Sequence, residues 1–180
     1  MTICEAPRIE TDRLILRPFR IADLDPIAEL WADEEIVRFL GGKALTREEA
    51  WRRSIGTCAQ WPITGYGYWI AQLKGDAKPV GTLGFGQFKR NGMVPNIDGE
   101  PEFGYTFATS VQGQGLAFEA CSAALSWADA NLDAPSYPAV IAAENERSIR
   151  LALKLGFRPA GEATYHDEQM PFFRRPRPNG

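Results

Sequence analysis

The sequence predicts a single α/β domain spanning residues 1–180, and three observations carry that prediction. Runs with apolar residues at period two, the mark of half-buried strands, are interleaved with runs at three- and four-residue spacing, the mark of amphipathic helices. A length of 180 residues suits one core without staples, and neither a repeat nor a composition shift marks a second domain. Residues 102–131 then place a strand, a glycine turn and a helix in direct succession, around which the rest reads as scaffold.

Taken in order, Arg8 to Arg17 alternates well enough to be a first strand. Asp23 or Asp25 can cap a helix starting at Pro26, with Ile27, Leu30 and Trp31 as its buried face. Ala32 to Leu45 is mixed, with acids at Asp33, Glu34 and Glu35. Thr46-Arg-Glu-Glu49 is a capping box for a second helix, with Ala50, Trp51, Ile55, Cys58 and Ala59 inward and Pro62 as its stop. Tyr66 to Leu73 and Val80 to Phe85 read as an antiparallel hairpin turning at Gly75. Lys89 to Gly99 is a polar loop leading to the central strand, where Phe103, Tyr105 and Phe107 alternate with Glu102, Gly104 and Thr106. The central helix carries Ala117, Ala120, Cys121, Ala124, Leu125 and Ala128 on one side and ends near Asn131, short of Pro135. Tyr137 to Ala143 is another apolar run. Asn145 to Leu155 follows as a helix with Ile149, Ala152 and Leu155 inward, and Gly156 ends it. Phe157–Tyr165 and Met170–Arg174 form a closing hairpin around His166, and residues 175–180 read as a frayed tail.

Composition excludes several classes. A net charge of −3 and a pI near 5.3 argue against a general nucleic-acid binder. No apolar run approaches membrane-spanning length, and Met1-Thr-Ile-Cys-Glu5 lacks the basic start and apolar core of a signal peptide. Cys4, Cys58 and Cys121 are odd in number and far apart, and the last two fall on apolar helix faces. Buried thiols in a reducing cytoplasm are the expectation. With one histidine and no paired cysteines, no metal ligand set is visible.

The chemistry centres on Gln112-Gly113-Gln114-Gly115-Leu116-Ala117. A turn of this kind leaves no side-chain bulk over its amides, and the first N–H groups of the following helix have no internal partner. With the helix dipole added, the turn is an anion site. No Lys or Arg occurs between Pro95 and Asn131, so a phosphate here would be held mainly by main-chain N–H groups. A P-loop needs Gly-Lys-Ser/Thr where Gly115-Leu116-Ala117 stands, and a dinucleotide fingerprint needs a small residue where Phe118 stands. The alternative is that the glycines merely shape a strand-to-helix turn.

The same six residues match Gln/Arg-x-x-Gly-x-Gly/Ala, and on them the chain resembles the GNAT N-acetyltransferases. Glu-x-Gly-Tyr at Glu102–Tyr105, Glu119-Ala120, and Ile9-Glu-Thr-x-Arg-Leu-x-Leu-Arg-Pro18 are similar to the RimJ/RimL-type branch. The segment Asn145-Glu-Arg-Ser148 through Lys154-Leu-Gly156-Phe157 follows in register. The resemblance implies a GNAT-type mixed, mostly antiparallel sheet with helices on both faces. It also implies acetyl-CoA as co-substrate, with no metal, and transfer of the acetyl group to a primary amine by direct attack. Gln112, Gly113, Gln114, Gly115, Leu116 and Ala117 would hold the pyrophosphate. The main chain of Thr106, Phe107 and Thr109 would pair with pantetheine and polarise the thioester, and Asn145 would bond the same arm. Asn145 reads equally well as a helix cap.

Acyl transfer to an amine needs the amine neutral. At pH 7 that costs about 4–5 kcal/mol for a lysine-like amine and about 1–1.5 kcal/mol for an α-amino group. Glu102 is the candidate base, against a solvated or salt-bridged carboxylate, with Glu100 and Asp98 as neighbours able to compete. Many relatives place a tyrosine acid where Ala152 stands; here Ser148 takes that part by resemblance, or is an ordinary helix residue. His166 reads as a loop histidine. Trp31 and Trp69 are candidates to line an acceptor pocket, and Glu34 and Glu35 to attract a cation or to be a solvated face. The acceptor class stays open among protein N-termini, amino acids, polyamines and antibiotics, as does assembly as a homodimer. The rival readings are a silent acyl-CoA-binding regulatory domain and a transferase with a longer acyl donor.

Overall fold

A computed structural model describes residues 5–178; Met1–Cys4, with one of the three thiols, and Asn179–Gly180 lie outside the described residues. In chain order the strands are β1 Ile9–Glu10, β2 Leu14–Arg17, β3 Tyr68–Leu73, β4 Pro79–Gly86, β5 Glu102–Phe107, β6 Ser136–Val140, β7 Arg158–Tyr165 and β8 Glu168–Pro176. The helices are α1 Leu24–Ala32, α2 Glu34–Val37, α3 Arg47–Cys58, α4 Gln60–Thr64, α5 Leu116–Asn131 and α6 Glu146–Lys154. One sheet runs β1-β2-β3-β4-β5 and a second runs β6-β8-β7, every ladder antiparallel. β5 and β6 lie against each other without sharing a ladder.

Helices cover both faces of the larger sheet, and the alternation along each strand decides which side chain meets which helix. On one face Leu14, Leu16, Trp69, Leu83, Phe85 and Phe103 pack against α5. That helix presents Ala120, Cys121, Ala124 and Ala128, all fully buried, so its backbone sits close to the sheet. On the other face Ile70 meets Ile27, Leu30 and Trp31 of α1, Ile36 and Val37 of α2, and Ala50 of α3. Aromatic contacts bridge the β5–β6 divide, Phe85 to Tyr137 at 5.2 Å and Phe103 to Phe157 at 5.6 Å between ring centroids.

Five local expectations are corrected. The first strand is a hairpin, since Thr11 N–H donates to Leu14 O at 3.0 Å and folds β1 back on β2. Asp23 precedes α1 without capping it, because its carboxylate is buried in a bidentate pair with Arg17 at 2.7 Å. Within α3, Ser54 is buried and Ile55 lies exposed; the Ser54 hydroxyl is satisfied by Ala50 O at 2.8 Å, so it can sit inward. Pro62 does not end the helical stretch but sits in the first turn of α4, where a missing N–H costs nothing. The chain from Arg175 to Arg177 is held, not frayed: β8 continues to Pro176, Arg175 forms a bidentate pair with Asp129, and Arg177 donates to Asp129 O.

Candidate active site

The glycine turn has the form an anion site requires. Gly113 and Gly115 both adopt left-handed φ, at 75° and 76°, a region that side chains with a Cβ enter at a cost. Gly115 is the N-cap of α5 and offers no side-chain cap, so the helix's first amides stay open. The first helical bond comes only at Glu119, to Gly115 O. Two cations flank the turn from far away in sequence. Arg13 donates to Gln114 O at 2.9 Å and pairs with Glu119 at 2.7 Å, and Arg147 donates to Gln112 Oε1 at 2.8 Å. Both were invisible to a count of local charges, although each lies in a segment whose motif the sequence showed. The turn could take a pyrophosphate: the first amides of α5 are uncapped, a Cβ at Gly113 would meet nothing, and guanidinium groups stand beside it.

β5 leads into this turn. Ala108 N–H bonds Val80 O, and the alternation of an antiparallel ladder then turns Thr106, Gly104 and Glu102 toward β4. Phe107 and Tyr105 turn their main-chain groups to the open edge instead. Of the run expected to pair with pantetheine, Phe107 has its amide free, Thr106 is engaged by β4, and Thr109 opens a 3₁₀ turn with its hydroxyl on Asp33. Asn145 caps α6, its Oδ1 accepting from Ser148 N at 3.1 Å, which leaves its amide NH₂ unassigned.

Ser148 has a neighbour that sequence reasoning missed. Its Oγ donates to Tyr105 Oη at 2.8 Å, while the Tyr105 hydroxyl donates to Ser148 O at 3.0 Å. Burial pushes the Tyr105 phenol well above its usual pKa, so it stays protonated at neutral pH. Alternation with Phe103 and Phe107 had made Tyr105 look like core. A tyrosine is thus present near the α6 N-terminus after all, supplied by β5, while Ala152 is buried.

Glu102 is buried, with both oxygens engaged by Arg90, one of them at 2.9 Å. Its two competitors are paired as well, Glu100 with Arg174 and Asp98 with Lys89. On the same side of β5, a Cβ at Gly104 would collide with the Tyr68 hydroxyl. Burial and the nearby Glu102 charge push the Tyr68 phenol well up, so it too stays protonated. Tyr68 lines a small, solvent-open depression between α1, α3 and the β3–β4 hairpin. Trp31 lines it, whereas Trp69 is wholly buried in the core with its indole N–H on Pro7 O. Glu34 and Glu35 are exposed, and His166 is an exposed turn residue at φ 51°. Cys121 is fully buried and Cys58 half-buried, its thiol pushed up to about 11 by desolvation.

Comparison with known proteins agrees with this geometry. The family model described as an acetyltransferase (GNAT) domain matches residues 13–158. A solved GnaT-family acetyltransferase from Bordetella pertussis superposes with a TM-score of 0.80 at 30% identity, covering 94% of this chain and 99% of that one. The "Uncharacterized N-acetyltransferase YoaA" of Bacillus subtilis (strain 168) is 29% identical, over 86% of this chain and 85% of the relative. The [ribosomal protein uS5]-alanine N-acetyltransferase of Escherichia coli (strain K12) is 26% identical, over 87% and 80%.

Proposed function

This chain belongs to the acetyltransferase (GNAT) domain family, and from that premise we propose that it transfers acetyl from acetyl-CoA to a primary amine by direct attack. The observation that carries the reading is the uncapped N-terminus of α5 behind two left-handed glycines, at the end of β5. Gln112 to Ala117 would hold the pyrophosphate, with Arg147 adding charge and the Arg13–Glu119 pair bracing the turn. The Phe107 amide and the Asn145 side-chain NH₂ would hold the pantetheine arm. Bound acetyl-CoA supplies the activated thioester.

The remaining roles follow from what each side chain offers. Ser148, with Tyr105 behind it, is the hydroxyl pair suited to protonate the departing thiolate, whose ordinary pKa near 8.5 demands only a weak acid. Glu102 is the candidate base, and an incoming ammonium would share it with Arg90 or displace that partner. The reading places the chain in the RimJ/RimL-type branch, supported by the Glu102–Tyr105 flank and by Ser148, and in the cytoplasm. Steady-state thiol release with an amine panel tests it, run with acetyl-CoA and with longer acyl-CoA donors. Amine-dependent release fastest with acetyl-CoA is expected. Binding without release would favour a silent domain, and faster release from a longer donor would replace the acetyl assignment.

A further inference from the structure

The pocket beneath α1 and α3 carries a charge that no described residue answers. Arg53, on α3, lays its guanidinium over the Trp31 ring at 4.1 Å to the centroid. Arg53 is an exposed residue at the rim of this depression; packing against its neighbours removes part of its hydration and lowers its pKa, and among the described residues no carboxylate pairs with it. Its charged neighbour across Tyr68 is Arg90, a second cation, whose charge Glu102 cancels. Arg17 and Asp23, beside the same helices, also cancel each other. The pocket therefore carries a net positive charge at the guanidinium of Arg53. A guanidinium lying over an indole face, with no hydrogen bond from its N–H groups to a described residue, keeps those donors available to take a carboxylate through two parallel hydrogen bonds.

We propose that this pocket receives the amine acceptor and that the acceptor carries a carboxylate, which Arg53 binds. The proposal rests on the acetyl-transfer reading and narrows its acceptor class. Polycationic amines would bring like charge to an uncompensated guanidinium. An amine with a carboxylate within reach would place the carboxylate against Arg53 and the amine toward Tyr68 and the Glu102 side of β5. Thr82 and Tyr68 line the route, and Thr82 stands opposite Thr106 in the β4–β5 ladder. The carboxylate is satisfied equally by a free amino acid or by an acidic residue at a peptide's start.

The test compares matched pairs: amino acids against their amides, and peptides beginning with Asp or Glu against those beginning with Asn or Gln. Wild type should favour the acid member by more than about tenfold in kcat/KM, carried by KM, consistent with loss of a charge-assisted hydrogen bond. The pair in which the preference is larger identifies the source. Arg53→Met, which keeps a stem over Trp31, should collapse the ratio toward one, and Arg53→Lys should restore part of it. A wild-type ratio near one, a preference for polyamines, or a ratio unchanged in Arg53→Met overturns the proposal. Calorimetric binding of the same pairs to wild type and Arg53→Met reads the claim without turnover. A panel in which no amine is acetylated but acids still bind through Arg53 would therefore count against the transferase reading alone.

Discussion

The glycine turn at residues 112–117 and the pocket between α1, α3 and β3 differ in what would do the binding. The turn offers main-chain amides, fixed in direction by two left-handed glycines and the axis of α5. The pocket offers side chains brought together from α1, α3, β3 and β4, with Arg53, Trp31 and Tyr68 at its working surface. A main-chain site depends on conformation, so it tolerates changes in most side chains and fails when a glycine is replaced. A side-chain site depends on identity and can be retuned one residue at a time. That division suits an enzyme whose co-substrate is constant and whose acceptor differs from relative to relative.

Glu102 tests the boundary between the two. If it is the base, Glu102→Gln should lower turnover at neutral pH by about tenfold to a hundredfold, with part recovered as rising pH deprotonates the amine in bulk solvent. Recovery should begin earlier for α-amino acceptors than for lysine-like ones, because their amines titrate lower. If Glu102 serves only as the partner of Arg90, the variant should show a raised KM, an unchanged pH profile and a lowered melting temperature. A pH–rate series alongside thermal melts separates these results.

The Ser148–Tyr105 pair should show a smaller effect. Ser148→Ala should reduce turnover roughly tenfold while the acetyl-CoA dissociation constant stays within about twofold, and Tyr105→Phe should reproduce part of that loss. Equal turnover in wild type and Ser148→Ala would return the serine to a place in the first turn of α6.

The smallest expected effect concerns the helix that carries Arg53. Glu49 closes the capping box of α3, accepting from Thr46 N–H at 2.8 Å and pairing with Lys43, and its pKa falls from 4.5 to about 2. A carboxyl depressed on folding contributes stability above its unfolded pKa and loses it as pH falls toward the folded value. Glu49→Gln should therefore flatten the decline in melting temperature between about pH 4.5 and pH 2 and leave that segment of the curve less steep than in wild type. An unchanged acid limb would remove Glu49 from the account of how α3 is held.

The elements of the proposed donor site were legible in the sequence because their determinants are local. The alternation of β5, the glycines, the small residues of α5 and the Asn145 cap all lie within short windows whose periodicity fixes their geometry. What escaped was pairing across distance. Arg13 reaches Glu119 and Gln114 from the first hairpin, and Arg147 reaches Gln112 from α6, so a count of cations near the turn missed both guanidinium groups, of which Glu119 neutralises the first. Tyr105 escaped for another reason: its place in the pattern is that of a core residue, and only the hydroxyl reaches Ser148. Arg53 carried no signal at all, since an exposed arginine on a helix looks ordinary until the fold shows Trp31 beneath it and, among the described residues, no acid paired with it. Trp69, read as a pocket residue, turned inward because β3 alternates and its odd-numbered positions face α5.

The claim on which the rest depends is that the main chain of the glycine turn holds the donor. Calorimetric titration of acetyl-CoA into wild type and Gly115→Val tests it most directly. Gly115 sits at φ 76°, where a β-branched residue is strongly disfavoured, while the nearest atom outside its own stretch of chain, Arg13 Nη2, stands 3.6 Å from the Cβ position. The account predicts a folded variant, by circular dichroism, that has lost measurable acetyl-CoA binding. A folded Gly115→Val that binds acetyl-CoA as tightly as wild type would contradict it.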